Sequence, residues 1–246
     1  MNILIPKTIT PEMFAPGTNI PEVDPYTAEV AWVSGGTYVV GDRRTKGHYV
    51  YECIKDANAS PANTYAPDSA NGAEFWFKDE EAPTNRWAPF DDYLFTKAKA
   101  LGEVTYVLKP GFVTGVAVHG IEADQLTITA TAGPGGPDLV PPIEADLWEQ
   151  AYGEWEYLFG DLDKGTKHTV GGIPLHPDVH ITITARRNLP DEEAAIGYIS
   201  VGQWQRLFAP DNVTEAAMAG ASAELRTYSY FKQNEQTGMY LRKKGR

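Results

Sequence analysis

One cysteine stands among 246 residues. Cys53 therefore has no partner for an internal disulfide, and its place in an aromatic strand reads as a small buried hydrophobe. Basic residues are short as well, with 21 Lys and Arg against 33 Asp and Glu and a net charge of -12. Such a surface repels phosphate backbones, so nucleic acid is excluded as a general partner. No apolar run approaches the roughly 20 residues that cross a bilayer, so no membrane insertion is expected. The opening Met1-Asn2-Ile3-Leu4-Ile5-Pro6-Lys7 has no charged leader followed by an apolar core. Synthesis in the cytoplasm without a standard export signal is the expectation.

Recognisable catalytic devices are missing too. There is no Walker loop, dinucleotide fingerprint or serine elbow, so neither a cofactor nor an enzymatic activity is expected. Carboxylates are plentiful at Glu144, Asp146, Glu149, Glu154, Glu156, Asp161 and Asp163. A glycosidase needs two of them at a set separation across a cleft, which spacing along a chain does not establish. The five histidines are His48, His119, His168, His176 and His180. His176, Asp178 and His180 alternate, but Pro177 interrupts them and no cysteine lies nearby. They read as surface polar groups ahead of a strand, and no metal site is expected.

What the chain does have is β-structure. At 42% hydrophobic and 11% aromatic it is globular, and long enough to bury a substantial core. Val104–Leu108, Phe112–His119, Leu126–Ala132 and Val179–Arg187 are strand candidates, and Ile196–Val201 starts the last third. Val179, Ile181, Ile183 and Ala185 alternate inward. The stretch from Glu144 to Phe159 fits a turn and strand better than a helix, because Gly153 and the aromatics weaken a helix. Ala216–Ala223 reads as a helical turn or loop. Glu224–Phe231 and Met239–Lys243 form a hairpin candidate. Half-buried strands between Gly and Pro turns indicate a β-sandwich. Met1–Glu29 holds five prolines and no sustained period. It reads as an extended arm, with short edge strands at Ile3–Ile5 and Lys7–Thr10.

The chain is organised around Ala31–Asp91. Thr37–Val40 favours a strand, Gly41-Asp42 a turn, and Tyr49–Ile54 alternates with Tyr49, Tyr51 and Cys53 on one face. Trp32, the step Thr37-Tyr38-Val39-Val40-Gly41-Asp42, Gly47 with Tyr51, Pro61 and Trp76 resemble the small carbohydrate-binding modules carried by chitinases and cellulases. Arg43-Arg44 stands where that family has a Val, and the loop Ala57–Ala73 is long. The resemblance implies a three-stranded domain and a sugar platform at Trp76, flanked by Phe75 and Tyr49. The other reading of Trp76 is module core, as for Trp32, Tyr38 and Tyr51.

A second resemblance spans more of the chain. Ile5-Pro6-Lys7-Thr8-Ile9-Thr10, the module, the step Pro83-Thr84-Asn85-Arg86-Trp87-Ala88-Pro89-Phe90-Asp91 and the β-rich remainder are similar to bacteriophage tail-region virion proteins. It implies a mainly β chain in three parts: an arm over 1–30, the module over 31–91, and a β-sandwich with a C-terminal hairpin over 92–246. It also implies a structural component of a tail tip, collar or fibre attachment. The partners would be other tail proteins, copies of itself and host surface polysaccharide. The basic Arg242, Lys243, Lys244 and Arg246 would serve assembly, the other reading being a solvated end, and the apolar residues of the arm would cover a neighbouring subunit or fold back on the chain's own sandwich. Two other classes remain: a non-viral glycan-binding accessory module and a glycoside hydrolase.

Overall fold

A computed structural model describes residues 2–55, 65–91, 95–148, 165–206, 229–233 and 240–244. Its regular structure is β-strand, with short 3-10 turns between strands and no α-helix among the described residues. Chain contacts define two compact units. The larger is Leu4–Trp204, and the other holds Gln205–Arg246 with Met1–Ile3.

The larger unit contains the expected sandwich. One sheet runs β1 (Asn2–Pro6), β13 (Tyr198–Arg206), β7 (Gly115–His119), β10 (Lys167–Gly171). The other runs β6 (Glu103–Leu108), β11 (Val179–Arg186), β8 (Gln125–Ala132), β9 (Ile143–Asp146). A two-stranded pair of β5 (Ala98–Leu101) and β12 (Glu193–Ile196) accompanies them. Period-2 alternation makes this core. Val104, Tyr106 and Leu108 of β6 are fully buried, as are Val179, Ile181, Ile183 and Ala185 of β11. They pack in one cluster with Leu126 and Ile128 of β8 and Val116, Val118 and Val201 of the facing sheet. Each such aliphatic side chain contributes roughly 1.5–3 kcal/mol by leaving water. Gly115 is required where it stands, since a Cβ there would meet Trp204 Nε1 at 1.9 Å. Trp204 donates that N–H to Val170 O at 3.0 Å.

The small module folds as a three-stranded antiparallel sheet of β2 (Arg43–Lys46), β3 (Tyr49–Cys53) and β4 (Trp76–Pro83), with β3 central. Cys53 is buried in it as expected. Thr37–Val40, expected as a strand, is not one. Tyr38 turns its ring inward, and its hydroxyl donates to Val33 O and accepts from Val33 N, both at 2.8 Å. That local loop takes the residues out of the sheet, and the strand begins after Gly41-Asp42 instead.

The arm folds back on the sandwich, the second of its two expected seats. Ile9, Phe14 and Ile20 lie against the chain's own sandwich. Ala15 N donates to Val107 O at 2.9 Å, Asn19 N to Thr105 O at 3.1 Å, and Lys109 N to Met13 O at 2.7 Å. The edge of β6 would otherwise present unpaired backbone groups, and the arm satisfies them. Ile20 is 1% exposed and joins the sandwich core, with Phe14 packed beside it. Of the two short arm strands expected, Asn2–Pro6 forms and Lys7–Thr10 does not.

The step Pro83–Asp91 joins the module to the sandwich. Buried Asn85 donates Nδ2 to Asp24 Oδ2 at 2.6 Å and to Lys99 O at 2.9 Å, and its Oδ1 accepts from Lys99 N at 2.8 Å. Its backbone N–H donates to Glu29 Oε1 at 2.5 Å. Trp87 stacks on His48 with centroids 3.7 Å apart and meets Phe14 edge-on at 5.0 Å. Fully buried Tyr106 donates its hydroxyl to Arg86 O at 3.0 Å, and burial pushes its pKa well above the usual phenol value. Arm, module and sandwich thus meet on four consecutive residues, Thr84–Trp87.

In the smaller unit, β14 (Ser229–Gln233) and β15 (Tyr240–Lys244) form the expected antiparallel hairpin, Ser229 opposite Lys244. Arg242, Lys243 and Lys244 lie on β15, whereas Arg246 falls outside the described residues. So do residues 216–223 and the carboxylates Glu149, Glu154, Glu156, Asp161 and Asp163.

Candidate functional site

The module's aromatic face is built by pairing. Cys53 lies opposite Trp76 and Tyr51 opposite Lys78, with Arg44 on the far side of Tyr51. Alternation then places Tyr49, Tyr51, Cys53, Trp76 and Lys78 on one face, and Val50, Glu52, Phe77 and Asp79 on the other. The first face, with Tyr38 and Phe75, is the module's core.

This burial overturns the platform assigned to Trp76 and Phe75. Trp76 is 2% exposed and Phe75 5% exposed, so neither ring offers a face to a sugar. Tyr38 packs edge-on against Trp76 at 5.0 Å. A three-stranded sheet needs its largest rings inside, and that demand wins over display. Tyr49 is half-buried, but Lys78 Nζ lies 3.5 Å from its ring centroid. Cations also cover Tyr38 (Arg44, 5.2 Å), Trp32 (Lys46, 5.2 Å) and Phe75 (Lys55, 4.9 Å). The negative π-faces that a sugar's C–H groups would meet are already engaged by charge.

What the module does present is a hollow of about 890 Å³, lined by Tyr51, Trp76, Phe77, Lys78, Asp79 and the turn Pro67–Ser69 with Ala73. Residues from both faces of β4 line it, and β4 is an edge strand, so the hollow runs along that edge. Phe77 is the exposed ring here, at 60%. Sequence reasoning missed it because it sits next to Trp76 and carries no motif. The signal was the alternation itself, which sends Phe77 outward once Trp76 is inward. Trp76 Nε1 is buried at this site with no acceptor among the described residues. Asp79 pairs with Arg43 at 3.1 Å. Asp68 is exposed, and takes part in no ion pair among the described residues. Burial first, and then the charge of Asp68, raises the Tyr51 pKa, so its hydroxyl stays protonated and able to donate.

The histidine trio is partly drawn together. Asp178 N donates to His176 Nδ1 at 3.1 Å, and His180 Nε2 lies 3.3 Å from Asp178 Oδ1. His180, read from sequence as a surface group, is buried within β11. No group of three potential ligands suited to a metal occurs among the described residues.

No family model and no curated protein matches the chain. Among solved structures, an F5/8 type C domain from Bacteroides fragilis is 14% identical with a TM-score of 0.31, covering 48% of this chain and 80% of that one. Chitosan-binding module 1 from a Paenibacillus sp. IK-5 chitosanase/glucanase is 11% identical with a TM-score of 0.29, covering 46% and 81%. Reduced XRCC1 bound to the DNA polymerase β catalytic domain is 12% identical with a TM-score of 0.29, covering 43% and 77%. At these scores they establish neither a family nor a function for this chain.

Proposed function

We propose that this chain is a non-catalytic structural protein of a bacteriophage tail region whose small module contacts glycans on the host surface. The observation that carries the glycan part is the hollow along β4. The exposed ring of Phe77, the protonated Tyr51 and two carboxylates, Asp68 and Asp79, line it together. Apolar ring plus convergent polar groups is the chemistry that saccharides require. The module is also held to the sandwich through Asn85 and Trp87, which suits a scaffold that presents a contact. The tail assignment rests on the sequence resemblance, and other tail proteins, and copies of this chain, are its expected partners.

Two measurements test the two parts. An array of host-wall and capsule saccharides should retain the full chain, and Phe77→Ala should release it while its melting temperature holds. Retention unchanged in Phe77→Ala removes the hollow as the site. Proteomics of purified particles should find the chain at stoichiometric copy number with tail components. Its absence from particles removes the virion role and leaves an accessory glycan-binding module as the better reading.

A further inference from the structure

The charge inventory of the hollow narrows the ligand further. Three ionisable side chains besides Tyr51 line it: Asp68, Lys78 and Asp79. Asp79 is neutralised by Arg43 at 3.1 Å. Lys78 is drawn onto the Tyr49 ring at 3.5 Å, on the aromatic face of the sheet. Asp68 remains an exposed carboxylate in no ion pair among the described residues. Its turn is held by backbone and side-chain bonds. Ser69 Oγ donates to Ala66 O at 2.6 Å and accepts from Gly72 N at 3.0 Å, and Ser69 N donates to Ala66 O at 2.9 Å. Ser69 is thus spent on the turn, and Asp68 is displayed by it.

We infer that the hollow takes a saccharide bearing a free ammonium group, an amino sugar that is not acylated. This rests on the glycan reading of the same hollow. The ammonium sits against Asp68, where a charge-assisted hydrogen bond is about twice as strong as a neutral one. The sugar ring lies on Phe77, and a ring hydroxyl meets the Tyr51 hydroxyl. An anionic sugar brings its charge to Asp68 on an already acidic chain and is repelled. A neutral N-acetyl sugar keeps the ring contact but leaves Asp68 unused.

Calorimetric titration of the full chain at about pH 6, where carboxylates are ionised, separates these cases. The probes are tetramers of glucosamine, N-acetylglucosamine and galacturonate. The glucosamine tetramer should bind at least about tenfold tighter than its acetylated counterpart, as one charge-assisted bond implies. Added salt should shrink the difference. Asp68→Asn should bring the two to equal affinity, and Phe77→Ala should weaken both. Both positions are exposed, so the variants should keep the fold. Equal binding of the two probes in the wild type, a preference that survives Asp68→Asn, or tighter binding of galacturonate would overturn the amino-sugar assignment while leaving glycan contact standing. No binding of any probe, together with an empty array, would overturn the glycan reading itself.

Discussion

The sandwich and the small module solve the same burial problem with different residues. The sandwich core is aliphatic, and Tyr106 is the large ring among its fully buried side chains. The module core is Tyr38, Tyr51, Cys53, Phe75 and Trp76, with Trp32 and Tyr49 against it. Two facing sheets enclose many mid-sized side chains, so Val, Ile and Leu suffice. Three short strands enclose few positions, and each must remove more area from water. An aromatic ring buries roughly 150–250 Å², which makes it the economical choice. The outer faces of those rings are then reached by Arg44, Lys46, Lys55 and Lys78, whose charges gain from the π-faces while their stems shield them. Aromatic richness in the module is thus a consequence of size before it is a sign of sugar binding.

Trp76→Ala probes that difference with the largest effect. It should cost about 3–5 kcal/mol and unfold the module sheet. Hydrogen exchange should then show β2–β4 amides exchanging quickly while those of β6, β8 and β11 stay protected. Equal loss of protection in both regions would mean the joint at Asn85 makes them one cooperative unit. Ile20→Ala comes next, at about 2–5 kcal/mol, because an arm residue sits in the sandwich core. Its melt should fall with the sandwich, and a melt unchanged from wild type would return the arm to the role of a loose strap.

The joint itself offers a smaller, pH-dependent test. Glu29 accepts from Asn85 N and Asp24 N, yet burial, the larger influence, together with nearby Asp24, raises its pKa above the ordinary carboxylate value. The folded state therefore holds the proton more tightly than the unfolded chain does. Its contribution is fully present below the unfolded carboxylate pKa and is lost as pH rises through the raised folded one. Thermal melts across that window should show wild type losing stability relative to Glu29→Gln, and parallel profiles would refute the assignment. Phe77→Ala should be the mildest change of all, within about 0.5 kcal/mol for an exposed side chain. A loss of several kcal/mol there would mean that the ring is structural.

The alternating strands were legible because period 2 is a local property. Val179, Ile181, Ile183 and Ala185 could be assigned to one face with no knowledge of the partner strand, and all four are buried. The C-terminal hairpin, the sandwich and the Cys53 environment followed from similar local or motif-level cues. Thr37–Val40 misled because β-branched and aromatic residues favour a strand only when a neighbour offers backbone partners, and Tyr38 bonded to Val33 instead.

By itself the sequence determined which residues alternate, where turns fall, that no disulfide braces the fold and that the chain is acidic. Three matters were left to the tertiary structure. It decided that the arm lies on the β6 edge, since an edge has open hydrogen-bonding groups only after its sheet exists. It decided that Trp76 is core and Phe77 is display, since inside and outside are properties of the packed sheet. And it brought Asp68 to the same hollow as Phe77 and Tyr51, a meeting of a turn with two strands. Burial and convergence depend on what the rest of the chain covers, and no local pattern encodes that.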